Sequence, residues 1–350
     1  MSHTTEQKKL SDIKLSVLDL VPVLEGKTIA ESFKNSLDLA KHVEKLGYTR
    51  YWLAEHHNMQ GIASSATSVL IGYIAGGTSS IRVGSGGIML PNHAPLIVAE
   101  QFGTLETLYP GRIDLGLGRA PGTDQLTARA LRRDLLESVE DFPKHVQDLR
   151  TYLGPVQPNA RVRAVPGEGT NVPIWILGSS TFGAHLAGLM GLPYAFASHF
   201  APTALHAALK VYRDSFTPSD TLQKPYTIAC VNVVAADTDA EADYLATTLY
   251  QAFLNVIRGT ANRQKPPVKS MEGLWDASEQ YAVQQMLRYT FTGSPKTIRE
   301  ELQAFVEDTQ VDELMVAGHI YDHEARIKSY SLLADIKQQV KPETAKQSGM

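Results

Sequence analysis

The sequence predicts an α/β fold, a single (β/α)₈ TIM-type barrel, on three observations. Eight short apolar runs recur along the chain, separated by longer segments, many with helical periodicity. Such alternation calls for parallel strands joined by crossovers, and eight units favour closure into a barrel over an open sheet. No G-x-G-x-x-G with a downstream acidic residue follows a strand, and Gly84-Ser85-Gly86-Gly87 lacks that spacing. At 350 residues, 43% hydrophobic and 20% charged, the chain has an ordinary globular balance, and residues 1–350 read as one domain.

Taken in order, Leu15 to Leu18 is the first strand. Ala30 to Leu46 places Phe33, Leu37, Ala40, Val43 and Leu46 near helical spacing, and Gly47 stops the helix. Tyr51 to Ala54 is the second strand, and Ala66 to Ala75 a helix ended by Gly76-Gly77. Ile81 to Gly84 begins the third strand, with a helix from Pro95 to Leu108. Ile113 to Leu117 is the fourth. Leu131 to Leu153 is expected to be helical with a break at Pro143, and Gly154 to Val172, rich in Pro, Gly and Arg, to be a loop. Ile174 to Leu177, Tyr194 to Ala197, Tyr226 to Val234 and Asp312 to Val316 are strands five to eight. Helices are expected at Phe182 to Met190, Asp239 to Ile257, Ser278 to Tyr289 and Glu324 to Val340. Arg258 to Asp276, with Pro266-Pro267, is a long irregular insertion after strand 7, expected to be a mobile lid, and 341–350 a frayed tail.

The bulk numbers exclude several classes. A net charge of -4 gives no basic groove for nucleic acid, and Arg129, Arg132 and Arg133 read as a solvated helix face. Cys230 is the only cysteine, so no internal disulfide forms; its strand-like neighbours make it a small buried residue rather than a nucleophile. Met1 to Leu10 has no apolar signal core, and the longest mostly apolar run, Ala66 to Ala75, is too short to span a bilayer. The expectation is a cytoplasmic protein with no membrane partner.

In a barrel the strand ends and the loops after them build the active face. Polar groups concentrate there: Glu55-His56-His57-Asn58 after strand 2, Gly116-Leu117-Gly118-Arg119 on strand 4, Gly178-Ser179-Ser180 after strand 5, Ser198-His199 after strand 6 and Gly318-His319 after strand 8. His56 and His57 point opposite ways in extended chain, so one can face the mouth, where a neutral imidazole suits proton transfer; the plain alternative is two hydrogen-bonding histidines. A metal is not expected, because adjacent histidines cannot easily share one ion and no H-x-H or H-E-x-x-H is present. Gly178, Ser179 and Ser180 can hold a phosphate at a helix N-terminus, or Ser180 is an ordinary cap. Arg119 can grip phosphate bidentately, or pair with a nearby acid. Gly86-Gly87 permits close approach of a flat ring, or marks a bulge.

Together these motifs resemble the bacterial luciferase-like flavin monooxygenase family, in particular its oxidoreductases that do not emit light. The markers are Tyr51-Trp52-Leu53-Ala54-Glu55-His56-His57, Gly84 to Pro91, Tyr109 to Arg119 and Leu177-Gly178-Ser179-Ser180. The resemblance implies a barrel that binds FMN as FMNH₂ from a separate flavin reductase and uses O₂ to oxidise a small organic substrate. It implies His56 as catalytic base with His57 in support. It places Arg119, Gly178, Ser179 and Ser180 at the flavin phosphate, and Gly86 and Gly87 at a non-proline cis peptide beneath the ring. Ser198 is placed with the cofactor-binding residues. It also implies a protective lid at Arg258 to Asp276. Light-emitting members carry a cysteine where this chain has Gly118, so the thiol is missing. With no second subunit type inferred, a homodimer is expected. The alternatives are an F420-dependent dehydrogenase on the same barrel, or a non-catalytic flavin-binding protein. Leu20, Met59, Phe200 and Trp275 are apolar candidates for the mouth.

Overall fold

The computed structural model describes residues 7–120, 125–131, 139–260 and 262–339. Pro121, Gly122, Arg132, Arg133 and the 341–350 tail therefore lie outside the described residues. The strands are β1 (Lys14–Asp19), β2 (Arg50–Leu53), β3 (Arg82–Ser85), β4 (Ile88–Met89), β5 (Ile113–Gly118), β6 (Ile174–Gly178), β7 (Tyr194–Phe196), β8 (Thr227–Ala235), β9 (Thr290–Gly293) and β10 (Glu313–Ala317). The helices are α1 (Ile29–Lys45), α2 (Thr67–Gly77), α3 (Pro95–Leu108), α4 (Gln125–Leu131), α5 (Phe142–Leu153), α6 (Thr181–Met190), α7 (Leu205–Ser215), α8 (Asp239–Ile257), α9 (Ala277–Met286), α10 (Pro295–Thr309) and α11 (His323–Gln339).

The eight expected strands are all present. They run β10-β1-β2-β3-β5-β6-β7-β8, every pair parallel, and β10 pairs back onto β8, which closes the barrel. Two short strands lie off this ring: β4 continues β3 against β5, and β9 pairs the far half of β8. Outward residues such as Tyr51, Val83, Leu115, Ile176, Phe196, Val231 and Leu314 pack in one apolar layer beneath the helices. That alternation, one face to the helices and one to the interior, follows from the two-residue strand period.

The interior is filled by a few large side chains. Trp52 and Trp175 meet edge to face at 5.3 Å, and Tyr226 meets Trp175 at 5.6 Å. Gly84 on β3 makes room for Trp52. A Cβ on Gly84 would come 2.5 Å from the Asp114 carbonyl and 2.9 Å from Trp52 Nε1. At the N-terminal ends of the strands, Arg50 sits 4.5 Å over Trp175 and bridges Asp114 and Glu313, each at 2.7 Å. Arg82 also pairs with Asp114, at 2.6 Å. The carboxylates have exposures of 1% and 0%, so these pairs satisfy one another where water does not reach. They close the floor, opposite the face that carries function.

Two local expectations are corrected. The helix expected from Leu131 to Leu153 is not continuous: a 3-10 turn at Val139–Asp141 precedes α5, and Pro143 lies in the first turn of α5, starting this helix, where its missing N–H has no partner to lose. The helix expected at Ser278 to Tyr289 ends at Met286, and Thr290–Gly293 then forms β9. The 258–276 insertion is irregular but tied down. Gln264 exchanges backbone hydrogen bonds with Val23 and Glu25, at 2.9 and 2.8 Å, and Gln251 Nε2 donates to the Pro266 carbonyl. The insertion therefore reaches across to the loop after β1. Among the described residues, no helix is long and apolar enough to cross a membrane.

Candidate active site

Four neighbouring strands, β2, β3, β5 and β6, deliver most of the expected site residues to one side of the C-terminal rim. Glu55, His56 and His57 follow β2; Gly86 and Gly87 follow β3; Gly118 and Arg119 end β5; Gly178, Ser179 and Ser180 end β6 and precede α6.

Between β3 and β4 the register against β5 slips by one residue: Val83 pairs with Ile113 but Ile88 with Leu117. The slip is a bulge, and it contains a cis Gly86–Gly87 peptide bond. Ser85 spans it, its hydroxyl donating to the Gly116 carbonyl at 2.8 Å and accepting the Gly116 N–H at 3.0 Å. Gly87 is required by crowding, since a Cβ there would meet the Gly116 carbonyl at 2.8 Å, while a Cβ on Gly86 would press on the Leu18 side chain at 2.6 Å. At Gly118 an added Cβ would meet Met89 Sδ at 2.9 Å, so a methionine sulfur fills the space beside this position.

Arg119 is half-buried, and its guanidinium lies 4.0 Å over the ring of Phe182, the second residue of α6. Among the described residues it pairs with no carboxylate. Ser179 and Ser180 are exposed. Ser180 occupies the N-cap position of α6 with extended backbone, yet its side chain makes no capping hydrogen bond. The ordinary-cap reading is therefore not realised. Free helix N–H groups, two exposed hydroxyls and a held guanidinium together form a site that fits a phosphate.

Glu55 is 1% exposed and fixes the β2 loop. Its Oε1 lies 2.8 Å from His57 Nε2 and 2.8 Å from His93 Nε2, and its Oε2 accepts the Met89 N–H at 3.1 Å. Burial opposes its charge, but the hydrogen bond and charge of His93, then His57 and Met89, hold the carboxyl below its ordinary range. His57 thus supports the loop, and His56 beside it is half-buried at the rim. Sequence reasoning missed His93, because 38 residues separate it from Glu55 and no spacing rule joins them.

Two further histidines follow other strands of the rim, and His199 lies near both His56 and His319. His199, after β7, is held neutral: burial, then the neighbouring His319 and His56, push its pKa down to about 3. Its Nδ1 is buried without a partner. His319, after β10, is lowered to about 4 by burial and Arg326, against the pull of Asp19. Arg326 pairs with buried Asp19 at 2.8 Å and donates to the Gly318 carbonyl, which fixes the His319 loop. A small recess here is lined by Leu18, Leu20, Pro22, Gly318, His319 and Arg326.

Other expected residues fall elsewhere. Ser198 is fully buried, its hydroxyl donating to the Cys230 carbonyl at 2.6 Å. It braces β7 against β8 and is not exposed at the rim. Cys230 is buried in the barrel interior, and burial pushes its thiol up. Met59 and Phe200 are exposed, whereas Trp275 packs on Tyr250 of α8 at 6.0 Å.

The family model described as luciferase-like monooxygenase matches residues 13–313. The chain is 59% identical to protein YvbT of Bacillus subtilis, over 93% of this chain and 97% of the relative. It is 52% identical to a luciferase-like monooxygenase of Escherichia coli, over 94% and 98%. A B. subtilis protein named N-acetyl-S-alkylcysteine monooxygenase is 31% identical over 92% and 98%. Among solved structures, apo-MsnO8 superposes with a TM-score of 0.83 at 36% identity, over 93% and 98%. The fold is shared, at 16% and 14% identity, with the FMN-bound oxygenating component of 3,6-diketocamphane monooxygenase and with an F420-dependent secondary alcohol dehydrogenase. The chain belongs to the luciferase-like monooxygenase family and is an oxidoreductase of that family.

Proposed function

We propose that the chain is an FMN-dependent monooxygenase that takes FMNH₂ from a separate flavin reductase and, with O₂, oxidises a small organic substrate. The observation that carries this reading is the cradle of Arg119 over Phe182 beside the uncapped N-terminus of α6. It suits the 5′-phosphate of FMN, with Ser179, Ser180 and the α6 N–H groups as donors. From there β5, β3 and β2 lead along the rim to the Gly86–Gly87 backbone and to His56. Bound flavin would supply the electrons that activate O₂. In this reading His56 moves a proton at the reacting atoms, and Glu55 holds His57 and the β2 loop in place. The 258–276 insertion acts as a lid that limits water.

The named thioether-type substrate of the 31%-identical relative makes N-acetyl-S-alkylcysteines the first compounds to screen. Wild-type protein, photoreduced FMN and O₂ should give oxidised product with such a compound, and His56→Ala should not. Unchanged reoxidation kinetics and product in His56→Ala would remove His56 from the chemistry. A preference for F420 over FMN would favour the dehydrogenase reading, and FMN binding without turnover the non-catalytic one.

The same proposal includes a homodimer. Val69 and Tyr73, one turn apart on α2, and Ile97 on α3 are 70%, 43% and 47% exposed, an apolar set that a second copy would cover. Sedimentation equilibrium should give twice the chain mass; a monomer would contradict it.

A further inference from the structure

The loop after β2 and the turn after β4 bring together a group that the flavin reading uses only as a brace. Both His57 Nε2 and His93 Nε2 converge on one oxygen of Glu55, and the three ligand atoms lie within 4.8 Å of one another. The Met89 N–H holds the other carboxylate oxygen, so Oε1 stays turned toward both rings. Among the described residues no other group of three or more His, Cys, Asp or Glu comes together in this way. The histidine side chains are 12% and 29% exposed while the carboxylate is 1% exposed, so the group is reachable but rooted.

We propose that Glu55, His57 and His93 form a binding site for a first-row divalent cation, independent of the flavin. Two imidazole nitrogens and one carboxylate on one face, with open positions toward solvent, are a donor set for Fe²⁺, Co²⁺, Ni²⁺ or Zn²⁺. Ligands about 2.1 Å from one ion and at right angles to each other stand about 3.0 Å apart. The observed nitrogen–oxygen distances are 2.8 Å and all three ligand atoms lie within 4.8 Å of one another, so rotation of the rings would bring them onto one ion. Without an ion both Nε2 atoms are hydrogen-bonded to Oε1; with one, the two Nε2 atoms and Oε1 would turn to the metal. The Met89 N–H remains as the outer support that orients the carboxylate. Sequence spacing hid this site, because its third ligand comes from a different loop and the adjacent pair His56-His57 supplies only one of the ligands.

The test uses the full chain, stripped with a chelator and titrated with Co²⁺ alone. One Co²⁺ per chain is expected, with visible d–d absorption that Zn²⁺ displaces. His93→Gln and His57→Gln should each weaken binding about tenfold or more. His206→Gln, in an exposed His–Asp pair far along the chain, should leave it unchanged. Circular dichroism reports whether each variant is folded, and His93→Gln, at the most exposed ligand, provides the decisive comparison. Zn²⁺ should raise the melting temperature of the wild type and not of His93→Gln. Absence of d–d bands at millimolar Co²⁺, or equal affinity in folded His93→Gln, would overturn the site.

Discussion

The guanidinium of Arg119 lies 4.0 Å over the ring of Phe182, which joins the end of β5 to the first turn of α6. Among the described residues its neighbour is a ring rather than a carboxylate. If it grips the phosphate, Arg119→Ala removes a charge-assisted hydrogen bond worth about 1.5–3 kcal/mol, or about 10- to 100-fold in FMNH₂ affinity. Phe182→Ala removes only the orienting contact, about 0.5–1 kcal/mol, and should cost a few-fold. Riboflavin, which lacks the phosphate, should bind both variants as it binds the wild type. Anaerobic fluorescence titration measures all three.

Gly118 and Met89 share one space, since a Cβ at 118 would stand 2.9 Å from Met89 Sδ. Gly118→Cys is expected to cost about 1–3 kcal/mol by overpacking, and less in a Met89→Ala background. Urea denaturation of the four proteins gives the coupling. Additive costs would mean that the sulfur does not limit this position.

Acid should destabilise the protein through its buried histidines. His199 and His319 have pKa values of about 3 and about 4, down from 6.5. As pH falls below 6.5 the unfolded chain binds protons that the folded chain refuses, so stability declines from there toward pH 4. His199→Gln should flatten the decline in melting temperature between about pH 7 and about pH 5. A slope equal to that of the wild type would contradict the placement of a neutral His199 in the mouth.

Asp19 and Arg326 hold the loop that carries His319, and their side chains are 0% and 4% exposed. Burial would raise the Asp19 carboxyl, but the Arg326 charge and hydrogen bonds from Tyr51 and Arg326 bring it below its ordinary value. Its stabilisation is present above pH 3.8 and is lost as pH falls through the lower folded value. Arg326→Met leaves the buried carboxylate without its counter-charge and should cost about 3–5 kcal/mol in urea denaturation. Asp19→Leu with Arg326→Met should cost less than Arg326→Met alone.

The barrel was legible because its outward strand residues, such as Tyr51, Val83 and Leu115, alternate with interior ones against a helical background. The rim was legible wherever a motif is contiguous, as in Gly178-Ser179-Ser180. What escaped is what depends on distant parts of the chain. β9 is four residues, Thr-Phe-Thr-Gly, too few to show a period. α7 (Leu205–Ser215) and α10 (Pro295–Thr309) form in addition to the helices expected from the sequence. Pro143 was ambiguous because proline both breaks and begins helices, and only the position of the first turn decides. His93 joins Glu55, and His199 and His319 approach each other, only after the barrel closes. Ser198 sits at a strand end, as a rim residue should, but its side chain turns inward to the Cys230 carbonyl.

The measurement that tests the central proposal most directly is an anaerobic titration of wild type, Arg119→Ala and His56→Ala with FMNH₂, alongside reduced F420. Micromolar binding of FMNH₂ is expected in the wild type, with clear preference over F420. The same affinity is expected in His56→Ala, and a loss of about tenfold or more in Arg119→Ala. No binding of FMNH₂ at micromolar flavin, or tighter binding of F420, would contradict it.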